Sequence, residues 1–170
     1  LGDLWIGASE GWLSQLSLLN EGGIRFTHYK LGSSLKVYDI AGDGCDNLWL
    51  STYHHGLYRF NMTTHHITHY HKDNLRLKDS MAASTTFIDR SGTLWFGTWP
   101  HLYKQDPNQK QFKFIAIDPP PTIWSMAVSS LAVDKKDVLW LGTLGRGVLK
   151  YDLRNGEVSN FAPDSINKRY

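Results

Sequence analysis

A tryptophan preceded by leucine recurs at Trp5, Trp49, Trp95 and Trp140, at separations of 44, 46 and 45 residues, inside nearly the same phrase each time. The copies read Asp3-Leu4-Trp5-Ile6-Gly7-Ala8, Asn47-Leu48-Trp49-Leu50-Ser51-Thr52, Thr93-Leu94-Trp95-Phe96-Gly97-Thr98 and Val138-Leu139-Trp140-Leu141-Gly142-Thr143. Strand-like segments repeating at that period match the blades of a β-propeller and not the units of a helical solenoid.

Six positions before three of the tryptophans stands an acidic residue, Asp43, Asp89 and Asp134. Asp89-Arg90-Ser91-Gly92 shows why: an aspartate that bonds the backbone ahead of it, followed by glycine, reverses the chain at low steric cost. After the Trp run come Gly11-Trp12-Leu13, Gly56-Leu57-Tyr58, His101-Leu102-Tyr103 and Gly147-Val148-Leu149, which predict a third strand. A second polar turn then leads to fourth strands over 24–29, 67–70, 112–114 and 158–161.

The Trp run reads Leu-Trp-Leu or Leu-Trp-Phe without alternating, so both of its faces are expected to be buried. Trp and the glycine two residues on (Gly7, Gly97, Gly142) share a face. The absent side chain leaves room for the ring or for the next sheet. Small residues at 82–86 and 127–130 run into Phe87-Ile88 and Leu131-Ala132-Val133. These are expected to be inner strands crowded around a propeller axis.

The reading is therefore all-β: a β-propeller fragment over 1–170, with blades at 1–30 (lacking its inner strand), 35–71, 82–117 and 126–162. Residues 163–170 open the next connector. With 41% hydrophobic and 13% aromatic residues the chain can fill a core. An open row of apolar sheets leaves two faces uncovered, so the remaining blades, or a second copy, are expected as partners. The 18 basic and 16 acidic residues are spread evenly, which argues against nucleic acid as a partner. No apolar run reaches membrane-spanning length, so any membrane attachment comes from flanking segments. The single cysteine, Cys45, excludes an internal disulfide.

Written as Asp-x-x-Gly-x-Leu-Trp-apolar-Gly-Thr, then Gly-Leu, a turn and an aromatic strand, the chain resembles the two-component regulator propeller repeat over nearly its whole length. Blade two departs from it, with Asp46 and Ser51 in place of glycines. The resemblance implies a seven-bladed ring in an extracytoplasmic sensor region, periplasmic or on the outer face of the inner membrane. In that family a transmembrane helix follows, then a histidine kinase or diguanylate cyclase, and glycan breakdown products are frequent signals.

In a propeller the loops between strands two and three share one face around the channel mouth, and function concentrates on such loops. Here they carry Glu10, Tyr53, His54, His55, Trp99, His101 and Arg146. Tyr53 and Trp99 are suited to stacking on a sugar ring or peptide, and the others to orienting polar groups. His65, His69 and His71 are expected on one side of the fourth strand, as solvated side chains and not as metal ligands. Asp43, Asp89 and Asp134 are read as turn residues. No cofactor, metal or catalytic residue is expected.

The functional expectation is a ligand-binding sensor module, for an oligosaccharide or other small ligand, without catalysis of its own. Two alternatives stand beside it. One is a lyase-type propeller enzyme using His54, His55 and Glu10 with a divalent metal; the other is a pure interaction or dimerisation scaffold.

Overall fold

Each copy of the repeat folds into its own antiparallel meander, because each supplies strand-forming runs separated by turns that cost little to close. The computed structural model describes residues 2–20, 22–71, 82–98, 101–109, 111–115, 127–145 and 147–161. Blade one is three-stranded, β1 (Leu4–Gly7), β2 (Trp12–Leu18) and β3 (Ile24–Lys30). Blade two is β4 (Val37–Gly42), β5 (Asn47–Thr52), β6 (Gly56–Asn61) and β7 (Ile67–Tyr70). Blade three is β8 (Ala83–Ile88), β9 (Leu94–Thr98), β10 (Leu102–Gln105) and β11 (Phe112–Ile115). Blade four is β12 (Ala127–Val133), β13 (Val138–Leu144), β14 (Gly147–Asp152) and β15 (Val158–Phe161). The chain divides into two compact units, 1–83 and 84–170.

The turn before the Trp strand of blades two, three and four is closed by one aspartate. Asp89 Oδ1 accepts from Ser91 N (2.9 Å) and Thr93 N (3.0 Å), and Asp134 Oδ1 from Lys136 N (2.7 Å) and Val138 N (3.1 Å). Their second oxygens take the indole N–H of the tryptophan six residues on, at 2.8 Å for Trp95 and 3.0 Å for Trp140. That indole bond, ahead of the backbone bonds, holds the Asp134 carboxyl below its ordinary value. Blade two differs. Asp43 Oδ1 accepts from Cys45 N and Asn47 N, but Oδ2 is taken by Asn47 Nδ2 at 2.7 Å. Trp49 packs instead on Tyr70, 5.4 Å between centroids, beside Arg59.

A basic side chain sits directly across the ladder from three of the tryptophans: Arg59, Lys104 and Lys150 pair with Trp49, Trp95 and Trp140. Their charged ends lie 5.8, 5.3 and 4.9 Å from the ring centroids, within cation–π range. In blade one the partner of Trp5 is Gln15.

Blades pack by pressing the Trp face of one sheet onto the inner strand of the next. In the first unit, Leu13, Leu35, Leu50, Tyr58 and Phe60 form a buried core with Trp5 and Val37 against it. In the second, Trp95, Leu102, Val128, Leu139, Leu141 and Leu149 do the same. The glycines of the motif make these contacts possible. A Cβ on Gly97 would lie 2.7 Å from Val128 Cβ and 2.9 Å from its carbonyl oxygen, and one on Gly7 would overlap Val37 Cγ1. The space left by the side chain is thus taken by the neighbouring sheet. Gly142 differs, because a Cβ there would meet Ser130 of its own blade.

Burial on both faces holds for β5 and β9. It does not hold for β1, where Leu4 and Ile6 are exposed and extend an apolar face through Leu18, Ile24 and Phe26. His65 also departs from expectation. It precedes β7 in a left-handed conformation (φ 57°) and packs on Tyr29 of blade one, 4.9 Å between centroids, so it is not in line with His69.

Candidate functional site

The loop between the second and third strands of blades two, three and four is built by the threonine that ends the Trp motif. Thr52 Oγ1 donates to the Gly56 carbonyl (2.7 Å), Thr98 Oγ1 to His101 O (3.1 Å) and Thr143 Oγ1 to Gly147 O (2.9 Å). Each threonine thereby clamps the hairpin whose tip carries the candidate residues. Five positions after the Trp the backbone turns left-handed, at Glu10 (φ 59°), His54 (φ 58°) and Gly145 (φ 114°). Glycine adopts that conformation freely, whereas a side chain there costs about 1–2 kcal/mol. Glu10 and His54 therefore occupy positions that glycine would fill at lower cost.

In the first unit the tip of the blade-two hairpin gathers an exposed aromatic group. Tyr53 lies 3.9 Å from the His54 ring and 5.4 Å from the ring of Tyr38; Tyr38 is 53% and Tyr53 38% exposed. Tyr38 belongs to the inner strand β4 at a β-bulge, where Val37 pairs with Thr52 and Asp39 with Ser51, leaving Tyr38 as the extra residue. Bulges re-aim side chains in this way. The Tyr53 N–H donates to the Lys36 carbonyl at 3.0 Å, tying the hairpin to that strand.

Behind the tip, His69 Nε2–H donates to the His55 carbonyl at 2.6 Å. The His69 ring stacks on Tyr58 at 4.2 Å and 10°. Burial raises the Tyr58 phenol above its ordinary value, so it stays neutral. His55 thus contributes its backbone, and His69 braces the loop from the outer strand.

Glu10 sits in a short 3-10 turn (Ser9–Gly11) in blade one, where its carbonyl accepts from Lys30 Nζ. Lys30 in turn covers the Trp12 ring at 4.4 Å. No hydrogen bond among the described residues joins Glu10 to Tyr53 or His54. In the second unit His101 lies edge-on to Phe114, 4.9 Å between centroids, and near Tyr103. Trp99 and Arg146 fall outside the described residues. Among the described residues no three His, Cys, Asp or Glu side chains meet in a metal-ligating group, and no helix is long and apolar enough to cross a membrane.

Sequence reasoning missed Tyr38 and His69 as parts of this cluster. A signal for Tyr38 was there: it aligns with Ser129, the bulge residue of blade four, so a large ring stands where that copy has a small one.

No family model and no curated protein matches the chain. Among solved structures it is similar to the extracellular domain of a protein described as a hybrid two component system, BT3049 of B. thetaiotaomicron. The TM-score is 0.70 at 20% identity, over 95% of this chain and 20% of that one. A second, the extracellular domain of BT4673 of the same organism, likewise described as a hybrid two component system, gives 0.70 at 21% identity, over 91% of this chain and 21% of that one. The fold is therefore that of these extracellular domains, and the chain spans about a fifth of their length.

Proposed function

We propose that the chain is part of the extracytoplasmic sensing region of a bacterial transmembrane signalling receptor, and that it binds a ligand at the strand two to three loops without turning it over. The observation that carries this reading is the Tyr38, Tyr53 and His54 group: two exposed rings and an imidazole, one delivered by a bulge and one held in a left-handed conformation. Exposed aromatic faces flanked by polar atoms suit an oligosaccharide or comparable small ligand, which stacks on the rings while its hydroxyls bond to the histidine. The likeness to extracellular domains of two-component proteins supports the periplasmic or outer-face location. A kinase or cyclase output would lie elsewhere in the protein.

Calorimetric screening with neutral oligosaccharides, peptides and small metabolites tests the reading. Saturable binding that Tyr53→Ala and Tyr38→Ala weaken is the expected result. Steady product formation from any bound compound would sink it in favour of catalysis.

The apolar face of blade one, with Leu4, Leu18, Ile24 and Phe26 exposed, favours a further partner: another blade, from the remainder of the propeller or from a second copy. Ultracentrifugation of the 170-residue chain separates the two, since dimer formation that Phe26→Asp abolishes identifies a second copy.

A further inference from the structure

The residues that link blade one to blade two, 31–36, run from the end of β3 to the start of β4 without forming a strand. They are nevertheless fixed, because Leu31 and Leu35 are both buried in the core of the first unit. Their backbone is used by the loops on either side. The Gly11 carbonyl accepts from Leu31 N at 2.8 Å and the Gly11 N–H donates to the Leu35 carbonyl at 2.7 Å, so the connector closes around Gly11 of the Glu10 turn. The carbonyl of Glu10 itself is held by Lys30 Nζ. One residue beyond Leu35, the Lys36 carbonyl accepts from Tyr53 N at 3.0 Å, at the tip of the blade-two hairpin.

The same strap runs on into the bulge. Val37 N donates to the Ala8 carbonyl at 3.4 Å, and the Val37 side chain fills the space over Gly7. Tyr38 is the next residue, so blade one fixes the start of β4 at the point where its register against β5 shifts. Little slack remains. Gly11 is buried with φ 73°, and a Cβ there would overlap the Gly32 carbonyl oxygen and press on Leu35 Cγ at 3.1 Å. Elements packed this closely rearrange in discrete steps and do not bend continuously. A displacement of the tip that carries Lys36 with it is therefore answered at Gly11.

We infer that the 31–36 connector couples the Glu10 turn to the Tyr38, Tyr53 and His54 tip, with Gly11 as a positioning residue for the two tyrosines. Engagement of the tip is then felt at the blade-one loop, and a change at that loop alters the tip. The sensing role of this coupling rests on the tip being a binding site; the coupling itself does not.

The test is native-state amide exchange followed by NMR on the full chain without ligand, which separates it from any failure to bind. In the unsubstituted chain the amides of Gly11, Leu31 and Tyr53 should open with the same free energy, as members of one cooperative unit. Gly11→Ala places a left-handed alanine against Gly32. It should accelerate exchange at Leu31 and Tyr53 about tenfold, the scale of one such residue, and shift the ring signals of Tyr38 and Tyr53. Gly44→Ala carries the same backbone cost (φ 75°) in the turn at the opposite end of blade two, with nothing within 4 Å of the added Cβ. It should leave all of these signals unchanged. If Gly11→Ala does not fold, the exchange pattern of the unsubstituted chain decides alone. With the coupling intact and no compound saturating in calorimetry, its sensing role falls together with the binding reading. Tyr53 opening independently of Gly11 and Leu31, an unmoved tip in Gly11→Ala, or equal acceleration in Gly44→Ala would overturn the coupling.

Discussion

In blade three Asp89 collects the turn amides and then the indole of Trp95, whereas in blade two Asp43 closes on Asn47 and leaves its tryptophan to Arg59 and Tyr70. Blade two departs again two residues after the Trp, where Ser51 replaces the glycine; it is fully buried and its hydroxyl has no partner among the described residues. The same blade carries the exposed cluster of Tyr38, Tyr53 and His54. Blade three thus keeps the aspartate–indole bond of the repeat, and blade two, which replaces that bond and holds His54 in a left-handed conformation, presents the candidate site. Local rules broken without local compensation are a recurring mark of functional regions.

The largest test of this contrast is Asp89→Ala against Asp43→Ala. Loss of Asp89 strands a buried indole N–H as well as two turn amides, and urea denaturation should show a loss of about 2–3 kcal/mol. Asp43→Ala frees one exposed and one part-buried turn amide and the Asn47 side chain, with no indole stranded, and should cost about 1 kcal/mol; equal losses would break the comparison. Ser51→Ala removes an unpartnered buried hydroxyl while keeping its Cβ, and should raise stability by about 1 kcal/mol. A lower melting temperature would mean that the hydroxyl has a bonded role.

Smaller effects bear on the loop. His69→Phe retains the stack on Tyr58 but loses the donor to His55, at a cost of about 0.5–1 kcal/mol. Amide exchange at residues 53–56 should accelerate while the rest of blade two stays protected, and unchanged exchange would show that His69 does not brace the loop. In His54→Gly, relief of the left-handed strain exceeds the entropy of an added glycine by about 0.5 kcal/mol. Stability should rise slightly while binding of any ligand found by screening falls.

The smallest effect is that of pH. Asp152 is held at about 2, by the Arg154 side chain and then by the backbone. Asp134 is lowered chiefly by the Trp140 indole. At Asp43 partial burial pushes upward, but the bonds from Asn47 and Cys45 outweigh it and the net direction is down. Each carboxylate therefore favours the folded state fully above the ordinary value of 3.8, and that contribution is lost as pH falls through the folded value. Thermal melts should be insensitive to these groups between pH 7 and 5 and should drop below pH 4, less so in Asp134→Asn.

Much of the fold was legible because it rests on local chemistry. The Asp-led turns, the period of the tryptophans and the apolar runs each specify a strand or reversal without reference to the rest of the chain, and β7 and β15 span the stretches read from sequence. The loops of interest were legible as the places where the copies stop agreeing. Tyr38 was not, because a bulge depends on how β4 registers against β5, which no local propensity states. His65 was misjudged for a related reason: its left-handed turn interrupts the period of two that strand reasoning assumes.

The amino-acid sequence by itself determined that this protein is made of propeller blades, where each turns, and which loops vary, since turn chemistry and hydrophobic runs act over a few residues. Only the tertiary structure decided which atoms those residues meet. The motif glycines face a neighbouring inner strand in blades one and three, the aspartate takes the indole in two blades and an asparagine in another, and the 31–36 connector bonds the loops of two blades. The glycine contacts and the connector's bonds depend on sheets brought together from separate repeats, where close packing chooses among side chains that look interchangeable in a repeat.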